Sequence, residues 1–150
     1  DDTTLDAANL LLPLVGFIAP DDPRMLSTVE RIREKLTDGH GFVYRYLSED
    51  GLSGGEGTFT ICTFWLVDNL AMQGCVDEAH SLFERLLQYA SRLGLFSEEI
   101  DSQSGMALGN YPQAFTHIAL INSADNLRKA AIRFSEYHTD PVMAAFHRCK

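Results

Sequence analysis

Residues 58–73 read TFTICTFWLVDNLAMQ. In a helix with this sequence, apolar side chains cover nearly the whole circumference, and such a helix has to be enclosed by other elements. Residues 76–93 instead carry apolar side chains at helical spacing along one stripe, with charged side chains opposite. Gly74, between the two segments, is typical of a helix C-terminus. Together they predict a helical hairpin made of one enclosed helix and one surface helix.

The N-terminal part of the chain shows the same alternation. Residues 5–19 predict a largely apolar helix that Pro13 distorts. Residues 21–36 predict an amphipathic helix, because the sequence DDP at residues 21–23 offers a capping carboxylate and a proline for the first helical turn. A second pair of one enclosed and one surface helix is therefore expected.

The C-terminal part continues the pattern. A fifth, mostly apolar helix is predicted to begin near residues 111–112 and to run towards residue 134. A tail is predicted from residue 135, with one short helix at residues 142–147. The single extended piece that the sequence predicts is residues 42–47. We therefore expect an all-α fold of helical hairpins.

The connections between the predicted helices alternate in length. Residues 38–57 and 94–110 are long and rich in glycine, whereas residues 20–23 and 74–77 are short. In an up-down array every second connection lies at the same end, so the two long loops are expected to share one rim. The enclosed helices begin about 55 residues apart, which makes the repeating unit a hairpin plus its loop. Inner enclosed helices and outer amphipathic ones predict part of an α/α toroid, with about two and a half hairpins in this chain.

The long-loop rim carries the polar side chains that we expect to act on a ligand. They are His40, Tyr44, Arg45, Tyr46, Glu56, Glu98, Glu99, Asp101 and Tyr111. Carboxylates, an arginine and tyrosines around one cleft suit carbohydrate chemistry, because aromatic rings stack on sugar faces and two carboxyl groups can act as acid and base. A solvated acidic turn is the alternative interpretation of the adjacent acids Glu98 and Glu99.

Composition limits the class of protein. The 150 residues are 45% hydrophobic, which suits one folded domain with one core. The formal net charge of −9 argues against binding to nucleic acid or to an anionic membrane, because both favour basic surfaces. The sequence has no apolar run that could span a bilayer and no leading signal peptide. Since the first residue is Asp1, we expect an excised or processed piece of a longer protein.

The cysteines are Cys62, Cys75 and Cys149, and they have neither metal-ligand nor CxxC spacing. They suit reduced thiols in a cytoplasmic protein, and a disulfide between two of them is the alternative. His138 and His147, near the C-terminus, also lack the regular spacing of a zinc site. We therefore expect no metal ion and no cofactor.

Some side chains of the enclosed helices are better explained by packing than by function. The aromatic residues of the 58–73 segment, Trp65 among them, are expected in the core. His117 is expected to be a core histidine with satisfied hydrogen bonds. Gln113 and Tyr111 open the fifth helix at the long-loop rim, where a role in the cleft and a structural role are both open.

Six motifs occur in the same order as in a known enzyme family. They are PLVGF at residues 13–17, VYRY at 43–46, GGEGTF at 54–59, FWLVD at 64–68, GLFSEE at 94–99 and GNYPQAF at 109–115. Over about residues 5–130 they resemble the C-terminal part of the catalytic domain of glycoside hydrolase family 15, which includes glucoamylases, glucodextranases and bacterial trehalase-like enzymes. The resemblance implies an incomplete (α/α)6 barrel over residues 1–150, with a tail at residues 135–150. It also implies hydrolysis of α-glucosidic bonds with inversion.

The resemblance further implies roles for residues of the long-loop rim. Glu98, the first glutamate of the SEE sequence, matches the general base that activates water, and Glu99 stands where many relatives have glutamine. Arg45 matches an arginine that binds the sugar at the cleavage subsite, and Glu56 is a weaker candidate for sugar contact. The substrate is expected to be an α-glucan, an oligosaccharide or trehalose. The expected substrate contacts are Arg45, Glu56, Glu99, Tyr111 and Gln113.

The general acid of the family lies upstream of every motif in this chain. An inverting hydrolase needs two carboxyl groups about 6.5–9.5 Å apart, so the chain is expected to supply one half of the pair. We therefore expect the N-terminal half of the catalytic domain as its partner and no turnover by the chain alone. The exposed inner helices are expected to associate with one another when that half is absent.

A helical-repeat scaffold that binds other proteins is the second functional hypothesis. Residues 78–87, EAHSLFERLL, have the character of a tetratricopeptide helix. The spacing of about 55 residues between hairpins exceeds the roughly 34 of that repeat, and its short loops leave no room for a Gly-rich rim. A third hypothesis is a structural fragment without activity that associates through its apolar inner helices.

Overall fold

The computed structural model describes residues 4–47 and 56–138. Its elements, in chain order, are a 3-10 helix at Ala7–Leu10, α1 at Leu11–Leu14, α2 at Pro23–Lys35, β1 at Thr58–Phe59, α3 at Thr60–Met72, α4 at Val76–Leu87, β2 at Glu99–Ile100, β3 at Ala107–Leu108 and α5 at Ala114–His138. Helices dominate, as the sequence predicts. The central element is α3, which packs against both α4 and α5.

The enclosure predicted for α3 is confirmed, since 10 of its 13 residues are buried. Phe64 of α3 meets the rings of Phe83 and Phe96 edge-on, with ring centroids 5.9 Å apart in both pairs. The side-chain amide of Asn69 donates to the carbonyl of Leu10 at 2.8 Å, which ties α3 to the N-terminal segment. The core of the described residues is therefore built around this helix.

The start predicted for α2 is confirmed. Asp22 is the N-cap and accepts a hydrogen bond from the backbone N–H of Arg24 at 2.9 Å, while Pro23 is the first helical residue. The capping carboxylate satisfies one of the backbone donors that a helix start leaves without a partner. The buried face of this surface helix consists of Met25, Val29 and Ile32.

The helix predicted over residues 5–19 is wrong in its length. The helical backbone ends with α1, because Gly16 adopts a positive φ of 73°. The N–H of Gly16 donates to the carbonyl of Pro13 at 3.1 Å, and the N–H of Phe17 donates to that of Leu12 at 3.0 Å. These two bonds form a Schellman motif, which ends a helix at a glycine.

The three short strands form an antiparallel sheet in the order β1-β2-β3, which the sequence did not predict. In this sheet Thr58 pairs with Ile100. Strands of two residues are too short to show the alternation that identifies a strand in a sequence. The extended piece predicted over residues 42–47 does not form a named strand, and its β-pairing is an isolated antiparallel bridge between Thr37 and Val43.

The surface helix α4 ends at Leu87, six residues before the predicted end. A turn held by Ser91 follows it. The Ser91 hydroxyl oxygen accepts from the N–H groups of Leu93 and Leu95 at 3.3 and 3.2 Å. A serine that binds nearby backbone donors competes with helical hydrogen bonding, so the apolar stripe continues into the loop without a helix.

The last helix, α5, extends three residues beyond residue 135, where the sequence predicted a tail. The helix predicted at residues 142–147 lies outside the described residues. Three apolar side chains on one face of α5 are more than half exposed, and they are Phe115, Ile118 and Ile121. Within residues 4–47 and 56–138, neither this helix nor any other combines the length and apolar character that crossing a membrane requires.

The two long loops share one rim, as predicted. The N–H of Phe59 donates to the carbonyl of Val43 at 2.8 Å, and the N–H of Thr60 donates to the carbonyl of Glu98 at 2.9 Å. Val43 belongs to the first long loop and Glu98 to the second. Two successive backbone donors at the start of α3 therefore hold both loops side by side.

The sequence left open whether the cysteines are free thiols or form a disulfide, and the structure contains both states. Cys62 is a free, buried thiol, whereas Cys75 is disulfide-bonded. Burial raises the pKa of the Cys62 thiol to about 12, although the nearby guanidinium of Arg45 lowers it. Cys62 is therefore an unreactive core residue, and Cys149 lies outside the described residues.

Candidate active site at the long-loop rim

The main chain of Glu98 is fixed where the second long loop meets α3. Its N–H donates to the carbonyl of Asn110 at 2.9 Å, and its own carbonyl accepts the N–H of Thr60 at 2.9 Å. One bond ties Glu98 to the segment that precedes α5, and the other ties it to the first residue of α3. A side chain that starts from a backbone held in this way can be positioned precisely.

The carboxylate of Glu98 is held as firmly as its backbone. Its Oε2 accepts two hydrogen bonds from Asn110, one from the backbone N–H at 2.9 Å and one from the side-chain Nδ2 at 2.8 Å. An ionised carboxylate only accepts hydrogen bonds, so the Asn110 amide must present its NH₂ group to it. Both hydrogen bonds found for this carboxylate within the described residues end on Oε2.

Gly109 brings the loop close enough to make these bonds. It has a positive φ of 69°, and a Cβ on it would lie 2.7 Å from Oε2 of Glu98 and 3.0 Å from its Cβ. Only glycine combines this backbone conformation with so close an approach. The loop therefore folds directly over the Glu98 carboxylate.

Glu99 has a different environment from its neighbour. Its Oε2 accepts the backbone N–H of Gly57 at 3.0 Å. Burial raises the pKa of the Glu99 carboxyl, the hydrogen bond from Gly57 opposes this, and the nearby acids Glu56 and Glu98 raise the pKa further. The Glu99 carboxylate therefore holds the loop at Gly57, whereas the Glu98 carboxylate is bound by Asn110.

Arg45 lies on the same rim, and its guanidinium is paired with Asp6. The Nη1 atom of Arg45 is 2.5 Å from Oδ1 of Asp6, and the two side chains are 31% and 41% exposed. The same Asp6 oxygen accepts the N–H of Ala8 at 2.7 Å and caps the 3-10 helix. Asp6 therefore orients Arg45 and offsets its charge, while a role for Arg45 in sugar binding stays a prediction.

The other predicted substrate contacts lie at the edge of this arrangement. Glu56 is exposed beside Gly57. Tyr111 is 51% exposed, and Gln113 is half-buried, with its N–H bound to the carbonyl of Phe96 at 2.9 Å. Their contact with a sugar stays a prediction.

Both ring nitrogens of His117 have a hydrogen-bond partner, as predicted, but the residue is half-buried rather than enclosed in the core. Its Nε2 accepts the N–H of Phe96 at 3.3 Å, and its Nδ1 lies 2.7 Å from the carbonyl of Gln113. Because Nε2 accepts, Nδ1 carries the proton and donates to that carbonyl. The imidazole ring therefore joins α5 to the loop that carries Glu98, and it has no nitrogen left for a reacting group.

Asp101 belongs to a turn of the second long loop. Hydrogen bonds from the backbone and hydroxyl of Ser104 lower the pKa of its carboxyl, as does the N–H of Gln103. Within the described ranges, no group of three or more His, Cys, Asp or Glu residues is arranged to hold a metal ion.

Sequence reasoning missed two residues of the site, Asn110 and Asp6. Asn110 had a signal in the GNYPQAF motif, where a glycine and an asparagine precede a helix start. Asp6 had none, because 39 residues separate it from Arg45. A contact of that range depends on how α3 brings the two segments together.

The sequence of this chain is similar to those of known glycoside hydrolases. The chain matches the model of Glycosyl hydrolases family 15 over residues 1–125. It is 53% identical over 132 residues to a trehalase of Mycobacterium tuberculosis and 43% identical over 130 residues to a trehalase of Thermoplasma volcanium. Each match covers 86% of this chain, but 19% and 21% of the trehalase. The chain thus spans about a fifth of the length of these relatives.

Two solved structures share the fold at low sequence identity. A bacterial glucoamylase in complex with acarbose is 21% identical, with a TM-score of 0.67 over 83% of this chain and 20% of that one. A wild-type glycosidase, also 21% identical, has a TM-score of 0.70 over 84% of this chain and 36% of that one. These likenesses confirm the α/α toroid predicted from the helical pattern and the incomplete (α/α)6 barrel that the resemblance implied. Since the family model matches 125 of the 150 residues, the chain belongs to Glycosyl hydrolases family 15.

Proposed function

We propose that the protein carrying this chain hydrolyses α-glucosidic bonds with inversion and that Glu98 is its general base. The observation that carries the proposal is the placement of Glu98 on the long-loop rim, where Thr60 and Asn110 hold its backbone and Asn110 holds its carboxylate. The relatives named above are trehalases, a glucoamylase and a glycosidase, which supports the reaction class. The family match favours this function over the helical-repeat scaffold.

In the proposed reaction the Glu98 carboxylate takes a proton from a water molecule. The water oxygen forms a bond to the anomeric carbon on the face opposite the leaving group, while the glycosidic C–O bond breaks. The leaving oxygen takes its proton from a carboxylic acid in another part of the catalytic domain. The two carboxyl groups need a separation of about 6.5–9.5 Å, because the attacking water lies between the base and the sugar.

Trehalose is the substrate that we propose first, with maltose and dextrins as the other α-glucosides. This order follows from the names of the similar trehalases. Arg45, Glu56, Tyr111 and Gln113 are the proposed sugar contacts on this chain. Glu99 is proposed to contribute to substrate binding by holding the loop at Gly57, since its carboxylate accepts that N–H.

The proposed partner of this chain is the remainder of the catalytic domain, which supplies the general acid. The exposed face formed by Phe115, Ile118 and Ile121 supports this, because an inner helix of a complete toroid has neighbours on both sides. The 150-residue chain alone is therefore proposed to show no turnover. Measurable hydrolysis by the chain alone contradicts the assignment of the acid to another segment.

The test compares Glu98→Gln with the matched variant Glu99→Gln in the full-length protein. Loss of a general base costs roughly 10²–10⁴-fold in rate, so Glu98→Gln should lower kcat on trehalose by that factor. Glu99→Gln should stay within about tenfold of the wild type, because a glutamine oxygen can still accept the Gly57 N–H. Full activity of Glu98→Gln contradicts the base assignment, and a larger loss in Glu99→Gln reverses the two roles. NMR early in trehalose hydrolysis should show β- and α-glucose in equal amounts, because the attacked ring inverts while the leaving glucose keeps its α-configuration. Release of α-glucose alone contradicts a single displacement.

A further inference from the structure

We infer that Asn110 is a positioning residue, which fixes the carboxylate of Glu98 so that Oε1 takes the proton from water. The inference rests on the proposed function, because it assigns Asn110 a task in that reaction. Its basis is that the two N–H groups of Asn110 converge on one oxygen, Oε2 of Glu98, at 2.9 and 2.8 Å.

Glu98 and Asn110, which are 12 positions apart, form reciprocal hydrogen bonds. Glu98 donates its backbone N–H to the Asn110 carbonyl, and Asn110 returns two N–H groups to the Glu98 carboxylate. Asn110 therefore holds both the backbone and the side chain of Glu98. Rotation of the carboxylate breaks at least one bond, so its plane is fixed before a substrate enters.

Gly109 supports the same conclusion independently. Its φ is positive, and a Cβ built on it would lie 2.7 Å from Oε2 of Glu98, so the loop leaves no room for a side chain beside this oxygen. A loop that served only to connect β3 to α5 has no need to come so near to a carboxylate. The approach places the donors of Asn110 on Oε2 and directs Oε1 away from them.

A general base whose carboxylate is fixed through one oxygen can be effective, because proton transfer depends on the distance and direction from the other oxygen to the water molecule. Misplacement of a reacting group by about 1 Å can cost 10²-fold in rate. Removing the Asn110 side chain leaves the backbone N–H in place and removes one of the two restraints. The loss should therefore appear in kcat, whereas binding of the sugar should change little.

The experiment is a double-mutant cycle in the full-length protein with trehalose as substrate. Asn110→Ala alone should lower kcat roughly 10–100-fold and change KM less than about threefold. In a Glu98→Gln background the same change should cost less than about twofold, because Asn110 acts through the carboxylate that is already absent. Gln88→Ala, which removes an exposed side-chain amide at the end of the surface helix α4, is the matched control and should leave kcat unchanged.

The outcomes distinguish failure of the inference about Asn110 from failure of the proposed function. A full 10–100-fold loss from Asn110→Ala in both backgrounds shows a structural role and overturns the inference. Wild-type kcat in Asn110→Ala, with Glu98→Gln inactive, overturns the inference alone, whereas full activity of Glu98→Gln overturns both. The isosteric Asn110→Asp, which offers an acceptor where Oε2 needs a donor, replaces Asn110→Ala if that variant does not fold. It should lose at least as much kcat, and retained kcat overturns the inference.

Discussion

The side-chain amide of Asn126 donates to Oδ1 of Asp68 at 3.0 Å, across the interface between α3 and α5. Asp68 is only 1% exposed. Burial raises the pKa of its carboxyl to about 6, in spite of hydrogen bonds with Asn126 and Ser123 that lower it. The charged form of Asp68 is therefore less favourable in the folded protein than in the unfolded chain.

Asp68→Asn should stabilise the fold at neutral pH. Because the folded-state pKa of about 6 lies above the ordinary value of 3.8, ionised Asp68 lowers the free energy of unfolding above pH 6. This cost disappears as the pH falls from 6 towards 3.8. A pKa difference of about two units corresponds to at most roughly 3 kcal/mol. Chemical denaturation should show Asp68→Asn about 1–3 kcal/mol more stable at neutral pH and nearly equal at about pH 4.

Asp125→Asn is the control with the opposite sign. Asp125 lies on the same helix as Asn126, and hydrogen bonds from Lys129 and Arg128 lower the pKa of its carboxyl. A carboxyl whose pKa is lowered by folding stabilises the folded protein at pH values above its unfolded-state pKa. This stabilisation is lost as the pH falls through the lower, folded-state pKa. Asp125→Asn should therefore be less stable than wild type at neutral pH, and the difference should close in acid. The same pH trend in both variants is incompatible with the role given to Asp68.

Gly57 should tolerate no side chain. A Cβ there would lie 2.6 Å from the carbonyl oxygen of Ile100 and 3.2 Å from Cβ of Glu99. The first of these is a backbone atom of β2, so the clash can be relieved only by moving β2 away from the loop. Gly57→Ala should therefore lower the free energy of unfolding by roughly 2 kcal/mol or more, measured by chemical denaturation.

Gly39→Ala provides the matched comparison. No atom lies within 4 Å of a Cβ at Gly39, and its φ lies outside the left-handed region. An alanine there should be neutral or stabilise by about 0.4–1 kcal/mol, because it restricts the unfolded chain. Equal stability of the Gly57 and Gly39 variants would show that β2 yields to the added methyl group.

The ends and faces of several helices could be predicted because their signals are local. Asp22 and Pro23 mark the start of α2 within two residues, and the apolar circumference of α3 requires enclosure wherever the helix lies. The N-terminal helix was predicted too long for the same reason. Its apolar pattern continues past Gly16, whose positive φ ends the helix and leaves no trace in the pattern.

The contacts of the candidate site could not be predicted in this way. Arg45 and Asp6 are 39 residues apart, and Glu99 and Gly57 are 42 apart. Glu98 precedes β2 and Glu99 begins it, and a strand of two residues is too short for a periodic signal that would predict the neighbours of these two acids. The family resemblance singled out Glu98, but only the folded loop shows that Asn110 holds it.

The chain produced alone should self-associate through the exposed face of α5. Phe115, Ile118 and Ile121 lie three residues apart on one side of this helix and are 67%, 56% and 67% exposed. Contiguous apolar patches of this kind mark surfaces that are covered by another element or another molecule. Ile118→Asp should shift the chain to monomer in sedimentation velocity, because it places a charge in the centre of the patch. Leu93→Asp is the matched control, since Leu93 is 83% exposed in the loop after α4 and should leave the association unchanged. A monomeric wild-type chain, or equal effects of the two substitutions, would show that this face does not drive association.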